Sequence, residues 1–272
     1  MMKKSLIKLF ILFVVALVGV TVFWGGVPVP IVERALSQVS QEDELAKAVR
    51  LFQQAEQLRQ QGKYAEAILL AEPVLAILKN VLGDNHLHVA LSMSYLAELY
   101  RNQGRYSEAQ PLYQKSLAIQ KQKLGKNHLT VAQTLNYLAL LYFNQGRYSE
   151  AEALYQQSLE IRKQKLGGNH LDVATSLNNL ATLYLNLGRY GEAEPLFHQS
   201  LDIRKQQLGD NHPDVATSLN NLAALYSKQG RYGEAEPLFH QSLDIRKQQL
   251  GDNHPDVATS LNNLAALYSK QG

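Results

Sequence analysis

The tripeptide His-Pro-Asp stands at His212–Asp214 and again at His254–Asp256, and an Asn-His pair recurs at His86, His128, His170, His212 and His254. An imidazole beside a carboxylate is common equipment for proton transfer, and recurring imidazoles are common donors to a transition metal. A metal needs its nitrogen donors within about 2 Å of one ion. These histidines recur at equal intervals instead, and corresponding atoms of stacked helical copies lie about 10 Å apart. They cannot share an ion, and their place just before an apolar run fits capping or packing. His198 and His240 are single imidazoles inside amphipathic stretches and fit a solvated face. The absence of Cys removes thiol catalysis, disulfides and Cys-ligated zinc. No Gly-rich phosphate loop or nucleophile elbow is present. The sequence therefore predicts no catalytic residue, no metal, no cofactor and no enzyme.

The elements that carry these residues follow from a repeat. "GKY" begins at Gly62, "GRY" begins at Gly104, Gly146, Gly188 and Gly230, and a last Gly stands at Gly272, a period of 42 residues. A second landmark, Gly-x-Asn-His, begins at Gly83, Gly125, Gly167, Gly209 and Gly251 and divides each unit into two halves of helical length. In the first half, Val215, Leu219, Leu222, Ala223, Leu225 and Tyr226 form one apolar stripe at helical spacing. Asn211 with Asp214 three residues on makes a capping-box-like pair, Pro213 fits the first turn, and Gly230 ends the helix. In the second half, Tyr232, Ala235, Leu238, Phe239, Ser242, Leu243 and Ile245 share a side. Glu234 and Glu236 lie early and Arg246 and Lys247 late, as the helix dipole favours. Each unit is predicted to be a helical hairpin.

The positions Leu219, Leu222, Ala223, Tyr226, Gly230, Tyr232, Ala235 and Phe239 resemble, in order, the packing positions of the tetratricopeptide repeat, with Ser242 where a small Ala is usual. The long period, "LNNLA" and "LG.NHPDVA" are most similar to the kinesin light chain subclass, which also occurs in many bacterial proteins, and a bacterial source is expected. The resemblance covers residues 45 to 272. It implies an all-α superhelical solenoid of antiparallel helix hairpins, five full repeats plus one half repeat. The first unit is the most divergent, with Gln54 and Leu58 where later units have Leu and Tyr, which fits a terminal cap.

By the same resemblance, first helices line a concave groove that holds extended peptides. The positions between the packing residues are Ser94 and Tyr95, Asn136 and Tyr137, Asn178 and Asn179, Asn220 and Asn221, then Asn262 and Asn263. From Asn136 onward these are the candidate peptide-binding residues. An Asn amide offers two donors and an acceptor to a peptide backbone of any sequence. Mid-helix Asn costs roughly half a kcal/mol relative to Ala, so a compensating use is expected. The competing reading is solvated Asn copied by duplication. The inner positions lack the Lys and Arg of carboxylate-clamp relatives, so an acidic C-terminal motif is not the expected ligand.

Lys3, Lys4 and Lys8 account for the whole net charge of +3, and from residue 9 onward 24 basic side chains balance 24 acidic ones. A neutral body lacks the footprint of a nucleic-acid binder. Leu9–Val27 carries no charge and as a helix spans roughly 28 Å, enough to cross a bilayer once. Trp24 would sit at the far interface, and Gly25, Gly26, Pro28 and Pro30 would end the helix. The expected organisation is a cytoplasmic basic segment at 1–8, a transmembrane anchor at 9–27, a linker at 28–44 and the array at 45–272. A cleaved signal peptide is the alternative, its site at Ala35–Ser37 lying late. The lysine asymmetry keeps the N-terminus in the cytoplasm and places the array outside, periplasmic or extracellular. The expected function is a membrane-anchored scaffold for a protein or peptide ligand, with a secreted adaptor, or the targeting part of a larger enzyme cut at residue 272, as alternatives. The last helix, from about Pro255 to Gln271, lacks its second half. Leu261, Leu264 and Tyr268 are expected to pack on one side at best, leaving an end that belongs to a longer array or self-associates.

Overall fold

The computed structural model describes residues 29–271. All the regular structure among them is helical: α1 (Val29–Gln60), α2 (Tyr64–Leu82), α3 (Leu87–Asn102), α4 (Tyr106–Leu124), α5 (Leu129–Asn144), α6 (Tyr148–Leu166), α7 (Leu171–Asn186), α8 (Tyr190–Leu208), α9 (Pro213–Lys228), α10 (Tyr232–Leu250) and α11 (Pro255–Gln271). They form two compact units, one ending at Gly104 and one beginning at Arg105. In the first, α2 packs against both α1 and α3. In the second, α5 with α6, α7 with α8 and α9 with α10 form hairpins, and α6, α8 and α10 each pack on the first helix of the next repeat. First helices also touch directly, α5 with α7, α7 with α9 and α9 with α11.

Most positions of the expected stripes are buried, Tyr232 and Leu238 of the second stripe being half-buried. Val215, Leu219, Leu222, Ala223, Leu225 and Tyr226 of α9 are buried, as are Ala235, Phe239, Leu243 and Ile245 of α10. Ser242 is fully buried and its hydroxyl donates to the Ala216 carbonyl at 2.8 Å, so the polar side chain is satisfied inside its own hairpin. Ser158 and Ser200 repeat this bond to Ala132 and Ala174.

Helix α1 begins at Val29, with Pro30 in its first turn, where the missing N–H costs nothing. One sequence expectation changes: Asn211 is not the cap of α9. His212 is, with Nδ1 accepting the Asp214 backbone N–H at 3.1 Å, and His86, His128, His170 and His254 do the same for their helices. In α11, Leu264 is buried while Leu261 and Tyr268 are exposed, and the helix packs against α10 and α9, in keeping with packing on one side. The predicted membrane segment lies outside the described residues; among those described, no helix is long and apolar enough to cross a membrane.

Each second helix stops at a Gly, and Gly209 shows why: its φ of 81° and ψ of 161° lie in a region that essentially only Gly enters. A Cβ there would meet nothing within 4 Å, so the constraint is purely backbone. Gly209→Ala should therefore cost about 1–3 kcal/mol in urea unfolding. Gly168→Ala, at a residue with equal space and no positive φ, should be neutral or slightly stabilising. Equal effects of the two substitutions would refute the backbone account.

Candidate functional site

The first helices of the second unit bring the predicted Asn residues together, and in a way that spacing along one helix does not reveal. Asn179 donates through Nδ2 to Asn136 Oδ1 at 3.0 Å, Asn221 to Asn178 Oδ1 at 2.9 Å, and Asn263 to Asn220 Oδ1 at 2.8 Å. The second Asn of each repeat is thus tied to the first Asn of the repeat before it. Asn136 and Asn220 are buried, Asn178, Asn179, Asn221 and Asn263 are half-buried, and Asn262 is exposed. Tyr137 is half-buried with its ring centroid 6.1 Å from that of Tyr113. The Asn candidates form three separate hydrogen-bonded pairs along the first helices, and Tyr137 and Asn262 take no part in these bonds.

Sequence reasoning missed the groups that clamp one repeat to the next. The Arg of the last two GRY turns does three things at once. The Arg231 guanidinium lies 3.9 Å from the centre of the Tyr226 ring, Nη1 meets Glu194 of the preceding second helix at 2.9 Å, and Nε meets Glu234 at 2.8 Å. Arg189 does the same with Tyr184, Glu152 and Glu192. His198 and His240, read as surface groups, are part of this clamp: Nε2 of each lies 3.0 Å from the hydroxyl of Tyr226 and Tyr268 in the following helix. The signal was the recurrence of Arg after Gly and of Tyr four residues before it.

A second inter-repeat contact is buried. Arg204 of α8 donates through Nη1 to the Asp214 carbonyl at 3.1 Å and the Ser218 hydroxyl at 2.8 Å. Arg162 and Arg246 do likewise with Asp172 and Ser176, and with Asp256 and Ser260. Burial draws each of these guanidiniums below its usual range. In the repeat before them Gln120 takes the place of Arg and accepts from Thr134 at 2.8 Å.

In the first unit the same face has different chemistry. Phe52 stacks at a tilt on Tyr95 with centroids 4.9 Å apart, and Val49, Phe52 and Leu91 are exposed. Beside them Arg59 bridges Glu56 at 2.7 Å and Glu98 at 3.4 Å. Among the described residues no three His, Asp or Glu side chains converge as a metal site would need.

The tetratricopeptide repeat pattern matches residues 48–122, 89–164, 130–206, 172–248 and 214–272. The chain belongs to the tetratricopeptide repeat family. No curated protein matches it. Among solved structures, the nearly identical kinesin-light-chain TPR-like repeats of Podosopora anserina are similar at 30% identity in a singly substituted variant, over 73% of this chain and 94% of that one, with a TM-score of 0.62. The same repeats without that substitution give 29% identity, 74% and 95% coverage and a TM-score of 0.61. BtubC (BKLC) from P. vanneervenii is similar at 25% identity over 84% of this chain and 83% of that one, with a TM-score of 0.60. Tetratricopeptide repeats carry a protein–protein interaction scaffold rather than a reaction centre, and the kinesin-light-chain-like neighbours have that architecture.

The Glu56 carboxyl is held down at about 2, against a usual value of 4.5, chiefly by its hydrogen bond from Arg59. A depressed carboxyl stabilises the fold above its ordinary value and loses that contribution as pH falls toward the depressed one. Glu56→Gln should therefore lower first-unit stability by a constant amount above about pH 5, and the gap from wild type should close toward pH 2. Amide exchange in α1 and α3 across that range measures it; a gap independent of pH would refute the pairing.

Proposed function

We propose that the chain is a non-enzymatic scaffold of the kinesin-light-chain-like subclass that binds an extended polypeptide along the first helices of its repeats. The observation that carries this reading is the row of three Asn–Asn pairs from Asn136 to Asn263, which keeps further donor and acceptor capacity after these bonds are made. The direct contacts among α5, α7, α9 and α11 support it too, because the layer whose helices touch is the inner side of a stacked array. We further propose that residues 9–27 anchor the scaffold in a membrane with the repeats on the outer side. That reading is supported by the uncharged stretch Leu9–Val27, with three lysines before it and one Arg34 soon after.

Two experiments test these readings. Protease added outside intact cells or spheroplasts should digest the repeats, and digestion only after lysis would exclude the outward topology. Asn178→Ala with Asn220→Ala should weaken binding of a partner pulled down from membrane extract by on the order of 1 kcal/mol per hydrogen bond lost. Because both residues accept an inter-repeat bond, the double variant should also lose some stability. Affinity unchanged in a folded double variant would defeat the groove.

A further inference from the structure

The five imidazoles that cap first helices do so as acceptors. Nδ1 of His86, His128, His170, His212 and His254 takes the backbone N–H two residues on at 3.1 to 3.2 Å. Nδ1 accepts only while it carries no proton, and imidazole is the side chain that changes charge between about pH 5 and 8. The imidazolium bears N–H at both nitrogens, so the same ring would then aim a donor at a donor. The cap made by Nδ1 is therefore lost as the ring takes up a proton.

What that proton meets differs from repeat to repeat. In α7, α9 and α11 the capped residue is an Asp, and its carboxylate lies 3.9, 3.9 and 3.8 Å from Nδ1 of His170, His212 and His254. The buried Arg of the preceding helix donates to the carbonyl of each of these Asp residues and holds it in place. The other charges at these starts are Lys163 and Lys165 of α6, Lys205 paired with Asp210 at 3.8 Å, and Lys247 with Asp252 in the turn. In α5 the capped residue is Thr130, and the first turn holds no acid. Its adjoining turn and helix end carry only the cations Lys121, Lys123 and Lys126. In α3 the capped residue is His88, whose ring stacks on that of His86 with centroids 5.1 Å apart. No acid stands in its first turn either, and Asp84 just before it faces Lys79 at 3.9 Å.

We infer that the capping histidines form a graded acid-sensitive device: protonation loosens the starts of α3 and α5, while α7, α9 and α11 exchange a cap for an imidazolium–carboxylate pair and hold. In the three later helices the ring turns its new N–H to the Asp beside it, and that carboxylate also suits the positive end of the helix dipole. In the two earlier ones the ring becomes an unpaired cation at that same positive end, where charge of its sign is disfavoured.

Helices α5 and α7 are the pair to compare, because Gln114 and Gln156 stand beside Tyr142 and Tyr184 where later junctions place a histidine. The test measures backbone amide protection factors in the full chain at about pH 7.5 and about pH 5.5, a span in which imidazole titrates. On acidification Leu129–Val131 should lose about fivefold more protection than Leu171–Val173, the factor that a lost cap is worth. His128→Asn, which caps without titrating, should abolish the extra loss in α5. Thr130→Asp should make α5 behave like α7, and Asp172→Asn should make α7 behave like α5. Equal losses in the two helices of the wild type, or a loss in α5 that persists in His128→Asn, would overturn the inference. So would a loss that Thr130→Asp leaves unchanged.

Discussion

No hairpin of this chain can bury its apolar stripe alone. A helix such as α9 carries Leu219, Leu222, Leu225 and Tyr226, all buried, and the covering surfaces come from α8 before it and α10 after it. Burial therefore requires a neighbour of the same shape, and the local contacts within and between adjacent hairpins build the unit step by step. The rest follows from that requirement. Because the stripe fixes which side faces inward, the other positions of the first helix are left to form a continuous surface, and the Asn row occupies it.

Apolar burial supplies the adhesion but does not by itself fix how one hairpin is rotated against the next. The polar contacts do that. A planar guanidinium stacked on Tyr226 and bonded to Glu194 and Glu234 tolerates little rotation, and the buried Arg204 must meet both a backbone carbonyl and the Ser218 hydroxyl. The Asn–Asn bonds constrain the same junction from its other face. Such constancy keeps the Asn pairs in register over the repeats of the second unit, since an error in each step would accumulate along the row.

Period, helix boundaries and core stripes were legible in the sequence because they depend on residues within one helix, three or four positions apart. The Ser at 242 was visible as a departure from a small apolar residue, but its partner carbonyl at Ala216 required the hairpin. The cap of α9 was misplaced by one residue: Asn211 has the better intrinsic capping preference, yet His212 has the extended backbone, and Nδ1 at the reach needed to accept the N–H two residues on. The role of His198 and the pairing of Asn178 with Asn221 were not legible at all. Each depends on how two segments 28 or 43 positions apart are set against each other, and residue type along one segment carries no record of that.

The offset of the Asn pairs has one more consequence. Each bond joins a residue to the one 43 positions later, while the unit is 42 long, so every copied segment brings an acceptor for the segment after it and a donor for the segment before it. Unequal recombination within such a gene would insert a rung that fits on both sides at once. The length of the Asn row could then be set by copy number alone, with no point substitution needed to join the new piece to the old.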